Sequence, residues 1–179
     1  MNGPKWLVLT WRLPAASSTP RVATWRSLRR LGAVILTPGA VILPFSEQLL
    51  EQLEWIAEDI VQRDGDAYVL PVTELSEAEE EEVRRRMTEE RREEYSELTE
   101  AAQQLAHRIA RGKARTEEPL ENLQLGRELA ALQRRFESAV GRDHFSSSAR
   151  SHAERAIERA LSAHSSPRGT RIQRRRRRA

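Results

Sequence analysis

The chain has 179 residues with 30 basic and 27 acidic side chains, a net charge of +3 with histidine neutral. That length suits one modest domain with an appendage, or two small ones, and excludes a large multidomain enzyme. Cysteine is absent, which excludes disulfides, thiolate metal sites, cysteine nucleophiles and thiol redox sensing within these residues.

The basic excess is uneven. Residues 1–73 carry 7 basic and 7 acidic groups, 74–118 carry 9 and 14, 119–167 carry 7 and 6, and 168–179 carry 7 and none. The high isoelectric point therefore belongs to the last segment, not to the body. Lysine occurs only at Lys5 and Lys113; the arginine bias reflects GC-rich coding first and phosphate recognition by guanidinium second. No apolar run approaches the roughly 18 residues of a spanning helix, and the N-terminal residues lack a signal-peptide pattern. A cytoplasmic protein with no membrane partner is the expectation.

Trp6 to Trp11 reads as a strand with Leu7, Leu9, Trp11 and Leu13 on one face. Ser17-Ser18-Thr19-Pro20 offers N-cap candidates and a first-turn proline. The helix that follows has Val22, Trp25, Leu28 and Leu31 as its predicted apolar stripe, Arg21, Arg26, Arg29 and Arg30 off that stripe, and Gly32 as its stop. Two apolar tetrads, Ala33–Leu36 and Ala40–Leu43, flank Thr37-Pro38-Gly39 and predict a hairpin. Ser46 is placed to cap a helix whose Leu49, Leu53, Ile56, Ala57 and Ile60 share a face, ending near Asp64-Gly65, and Ala67 to Val72 is a fourth strand. This order predicts an α+β, ferredoxin-like split βαβ four-stranded antiparallel sheet over residues 1–73. Both helices then lie on one sheet face, leaving the other to be covered by the second half or by a partner subunit.

A capping box, Ser76-Glu77-Ala78-Glu79, opens a helix expected to run to Arg111 with Gly112 as its stop. Tyr95, Leu98, Ala102, Leu105 and Ile109 form its seam, whereas the earlier stretch, with Val83 and Met87 among charges, is expected to be exposed. A second helix, Thr116 to Val140, carries Leu125, Leu129, Leu132, Phe136 and Ala139, and a third, Ser148 to His164, carries Ala153, Ile157, Ala160 and Leu161. Residues 74–164 thus read as an appended helical bundle and 165–179 as a disordered arginine-rich tail.

Trp6-Leu7-Val8-Leu9, Leu13-Pro14, Arg21-Val22, Trp25-Arg26-Ser27-Leu28, Gly32-Ala33 and Leu43-Pro44, followed by Arg91 to Leu98 and Arg142-Asp143-His144-Phe145, resemble in order the N-terminal domain of the ChrB chromate-resistance regulators. The resemblance covers about residues 4–164 and implies a stand-alone N-terminal-domain form of a DNA-associated transcription regulator, with chromate or another oxyanion as the effector in question. The opening is also similar to phenylacetate-pathway repressors and to CRISPR adaptation proteins with metal-dependent nuclease relatives. The latter need an aspartate at the end of the first strand, where this chain has Thr10-Trp11-Arg12.

The nucleic-acid candidates are Arg21, Arg26, Arg29 and Arg30, and the run Arg174, Arg175, Arg176, Arg177 and Arg178. The competing reading of the first set is a solvated face with local ion pairs, and of the second an incidental terminus or a self-contact with Glu77 to Glu82. No helix-turn-helix, Walker or nucleophile-elbow motif occurs, and the four histidines lack metal-site spacing. Neither a catalytic residue nor a metal or cofactor is called for. The function classes are a non-enzymatic DNA-associated regulator or, alternatively, an interaction module whose open sheet face or helical seams make a homodimer; a metal-dependent nuclease relative without the strand-end aspartate is a distant third.

Overall fold

The computed structural model describes residues 3–14, 18–114 and 119–165. In chain order the elements are β1 (Trp6–Arg12), α1 (Ser18–Arg30), β2 (Val34–Thr37), β3 (Ala40–Pro44), α2 (Glu47–Val61), β4 (Asp66–Val72), α3 (Glu77–Ala114), α4 (Pro119–Gly141) and α5 (Arg150–Ser165). The strands pair in the order β2-β3-β1-β4, every pair antiparallel. That order is the one a split βαβ repeat produces, so the α+β, ferredoxin-like expectation is met. No described helix is long and apolar enough to cross a membrane. Two compact units result, one of Met1–Tyr95 with Glu137–Arg150, the other of Ser96–Phe136 with Ser151–Ala179.

Local chemistry sets the first unit's turns. Gly39 adopts φ 85 between β2 and β3, and a Cβ there would stand 2.5 Å from the Trp11 carbonyl oxygen; only glycine satisfies both demands. Ser46 accepts from the Leu49 N–H and caps α2 as its sequence predicts. α1 ends as a Schellman motif: the Ala33 N–H reaches the Leu28 carbonyl, the Gly32 N–H reaches Arg29, and Gly32 takes φ 79. Leu28 and Ala33, the pair that flanks this turn, share one apolar cluster.

That cluster fills the sheet's first face with Leu7, Leu9, Val41, Leu43 and Leu53, and Leu49, Ile56 and Ala57 of α2 pack against it. The α1 stripe needs correction. Val22 and Trp25 are exposed, while Thr24 and Leu28 are buried. Residues recurring every three positions step back by about 60° on a helix of 3.6 residues per turn, so Val22 and Leu31 stand on opposite sides and cannot share a face.

The second sheet face is covered by the chain itself, the first of the two covers expected, and the exposure expected for the start of α3 is corrected. Trp6, Val34 and Ile42 pack with Val83 and Met87 of α3, with Val8, Val72, Leu75 and Phe145 alongside. The stretch of α3 expected to be exposed is therefore a lid on the sheet, and the open face expected for homodimer pairing is closed over Trp6, Val34 and Ile42; Tyr68 and Leu70 of β4 stay exposed. Val83 and Met87, one turn apart, need only a narrow apolar line because arginine stems finish the seal. Arg84 lies 4.5 Å from the Phe145 ring centroid and 5.7 Å from that of Trp6. Arg86 donates to the Ile35 carbonyl at 2.7 Å, on the outer strand β2. At the opposite edge β4 places Pro71, which has no N–H, across from Leu7.

Ser76 and Glu79 form the predicted capping box, with Ser76 N–H and Oγ–H both donating to the carboxylate at 3.0 and 2.6 Å; these bonds hold the Glu79 carboxyl below its ordinary pKa. α3 runs through Gly112 rather than stopping there.

In the second unit Leu98, Ala102, Leu105 and Ile109 of α3, Leu125, Leu129 and Leu132 of α4, and Ala153, Ala156, Ile157 and Ala160 of α5 are buried. The predicted seams hold except at Phe136 and Leu161, which are half-buried, while Ala156, not among the predicted positions, is buried. Arg108 and Glu128 close one side, which keeps the Glu128 carboxyl low.

The loop Arg142-Asp143-His144-Phe145 ties the first unit together. Arg142 pairs with Glu94, His144 Nε2 meets the Leu31 carbonyl at 2.8 Å, and Asp143 accepts from Tyr95 Oη at 3.1 Å and from the Ser147 N–H at 3.0 Å. Gly32 lies under this loop: a Cβ there would come within 2.9 Å of the Arg142 carbonyl oxygen. Gly32→Ala is expected to cost about 1–3 kcal/mol, from strain at positive φ plus that clash, read as a lowered urea midpoint. Gly141→Ala, with nothing within 4 Å of its Cβ, serves as the matched control and is expected to cost nothing.

Candidate nucleic-acid interface

α1 carries Arg21, Arg26, Arg29 and Arg30 and not one carboxylate. α2, its neighbour on the same sheet face, carries Glu47, Glu51, Glu54, Glu58 and Asp59 and no cation. The sequence shows each composition; the sheet order is what sets the two helices side by side.

At about 100° per residue the α1 arginines divide into two rows. Arg21, Trp25 and Arg29, each one turn after the last, run along the flank away from α2. Arg26 and Arg30 form an outer crest, and Arg30 lines the groove against α2 with Ser27, opposite Gln52, Trp55 and Asp59. The Arg29 guanidinium sits 5.1 Å above the Trp25 ring. Arg21 donates to the Pro14 carbonyl at 3.0 Å, and Arg30 donates to Ser27 Oγ at 2.9 Å. Among the described residues none of Arg26, Arg29 and Arg30 pairs with a carboxylate, so the expected alternative of local ion pairs does not hold for them. Arg174, Arg175, Arg176, Arg177 and Arg178 lie outside the described residues.

α3 shows what a neutralised charged helix looks like. Glu80 pairs with Arg84, Glu82 with Arg85, Glu89 with Arg92, and Glu94 with Arg91. On α2 only Asp59 has such a partner, Arg63 at 2.8 Å; among the described residues Glu47, Glu51, Glu54 and Glu58 have none. This acidic row, at spacings of 4, 3 and 4, is plain in the sequence but matches no catalytic pattern, so sequence reasoning does not single it out.

The places where chemistry would otherwise sit are engaged in structure. At the end of β1, Arg12 holds Asp66 through Nε at 3.2 Å and Nη2 at 2.8 Å, so the carboxylate nearest the strand end is already paired with a cation. Arg91 and Arg142, an arginine pair of the kind a tetrahedral oxyanion favours, both close on Glu94. His164 Nε2 meets the Asn122 carbonyl at 3.3 Å. No group of three or more histidine, aspartate or glutamate side chains among the described residues is arranged to hold a metal.

Residues 21–167 match the family model described as Protein ChrB, N-terminal. Over 79 residues the chain is 37% identical to Protein ChrB of Cupriavidus metallidurans, an overlap of 44% of this chain and 24% of that relative. The chain therefore spans less than two thirds of that curated relative's length. No solved structure matches it. The matched span opens at Arg21 on the basic helix, after β1, takes in β2, β3 and β4, the α3 lid and the Arg142–Phe145 loop, and includes all of α5; by that match the chain belongs to the ChrB N-terminal-domain family.

Proposed function

We propose that the chain is a non-enzymatic regulatory protein, of the chromate-resistance type that its family suggests, and that it associates with DNA through α1. The observation that carries this reading is a helix with four arginines, no acid and no carboxylate paired to Arg26, Arg29 or Arg30. The flank row Arg21-Trp25-Arg29 is the contact surface, because cations alternating with an aromatic suit a phosphate backbone. The acidic helix beside α1 repels the same backbone and so fixes the side of approach. Arg174 to Arg178 add affinity without sequence readout.

Mobility shifts of the full chain on a duplex of 30 or so base pairs, over a salt series, test this. Each phosphate contact contributes about −0.9 to the slope of log affinity against log salt, so Arg21→Ala with Arg29→Ala is expected to make that slope shallower by about two and to weaken binding equally on all sequences. A chain ending at Ser166 is expected to bind more weakly and still shift. Complete loss on removing residues 167–179, with the Arg21/Arg29 variant unchanged, rejects a site on α1. Absence of any salt-sensitive binding by the full chain rejects the DNA reading.

A further inference from the structure

The outer face of the first unit carries two parallel ridges of opposite charge, Arg26 and Arg30 on one and Glu51 and Glu58 on the other, without ion-pair partners among the described residues. Arg26 and Arg30 form the crest of α1. Glu51, Trp55 and Glu58 share the crest of α2 by helical spacing, and neither glutamate has a cationic partner among the described residues. Trp55 is 60% exposed and borders the groove between the ridges, where its ring offers a large apolar surface of the kind enriched at interface centres.

A nucleic acid laid across this face would neutralise α1 and be repelled by α2. An arginine-rich segment would do the reverse. A second copy, turned by a two-fold axis running along the groove, satisfies both ridges at once: its α2 lies over the first copy's α1, and its α1 over the first copy's α2. The two Trp55 rings then meet near the axis, with charge pairs on either side. This is the usual arrangement of an apolar centre within a polar rim. We infer that the α1/α2 face is a self-complementary interface through which two copies of this chain pair, with Arg26 and Arg30 facing Glu51 and Glu58 of the second copy. The flank row Arg21-Trp25-Arg29 lies outside this contact, so pairing does not depend on whether nucleic acid is bound.

Charge reversal with complementation is the test. The full chain, at tens of micromolar and about 0.1 M salt, where pairs closer than the screening length still attract, is expected to sediment at twice its 20.5 kDa mass and to dissociate as salt rises. Arg26→Glu with Arg30→Glu makes both ridges acidic, and Glu51→Arg with Glu58→Arg makes both basic. Each variant alone is expected to be monomeric. Mixed in equal amounts they are expected to form a heterodimer, which misfolded variants could not do. Trp55→Ala is expected to weaken the parent dimer at least tenfold. A monomeric parent, a dimer that persists in either variant alone, or a mixture that stays monomeric overturns the inference. A monomeric parent in which Glu51→Arg with Glu58→Arg alters only nucleic-acid affinity assigns the ridges to that other occupant and overturns it equally.

Discussion

Trp6→Ala is expected to destabilise the first unit by about 3–5 kcal/mol, the range for deleting a buried aromatic. Trp6 is 1% exposed and packs with Val34, Ile42, Val83 and Met87, with the Phe145 ring 6.1 Å away and Arg84 above it. Against a total folding stability of about 5–15 kcal/mol, such a loss removes a large share. It also acts on two sequence-distant segments together, because the lid formed by α3 and the Phe145 loop both rest on this ring. Trp6→Phe is expected to cost much less. The indole N–H is buried without an acceptor among the described residues, and its removal returns part of what the smaller ring forfeits. Chemical denaturation with a two-state fit measures both variants. An alanine variant within about 1 kcal/mol of the parent would show that the lid does not seal the sheet.

Asp143→Ala is expected to cost about 2–4 kcal/mol. One carboxylate there accepts from the Tyr95 hydroxyl and from the Ser147 N–H, and Ser146 between them holds a left-handed φ of 54. Alanine removes the Asp143 acceptor from the buried Tyr95 hydroxyl and from the amide of buried Ser147, at about 1–3 kcal/mol for each bond lost. Asp143→Asn keeps an acceptor oxygen at that place and is expected to recover much of the loss in the same urea titration.

The same pair predicts an alkaline limit. Burial, then the charge of Asp143 and its hydrogen bond, push the Tyr95 hydroxyl well above its ordinary value. The unfolded chain releases that proton near pH 10 while the folded chain retains it. Above that pH the unfolded state binds fewer protons, so stability falls as pH rises; below it the contribution is intact. Tyr95→Phe is expected to flatten this slope in urea midpoints taken from pH 8 to 11.

Much of the first unit is legible from local chemistry. The Pro38-Gly39 hairpin, the Ser46 cap and the Ser76–Glu79 box each depend on a few adjacent residues, and each occurs as expected. The α1 face is not legible in that way. A three-residue recurrence looks periodic on paper yet drifts around the helix, and the buried positions Thr24 and Leu28 include a polar residue that no apolar count selects. The lid is harder still, since Val83 and Met87 are two apolar residues in a charged stretch and acquire a partner only when the sheet presents Trp6. At the candidate interface the four arginines are evident in the sequence. Their division into a flank and a crest follows from helical geometry, and the adjacency of an acidic helix follows from strand order.

Arg86 and Pro71 guard the two outer strands. The guanidinium occupies the Ile35 carbonyl on β2, where the ladder is already irregular between Ile35 and Thr37, and proline withholds a donor on β4. A sheet with one margin plugged and the other short of a donor is a poor template for a foreign strand. Growth by strand addition, the route from a folded monomer to ordered aggregates, is thereby discouraged at both ends.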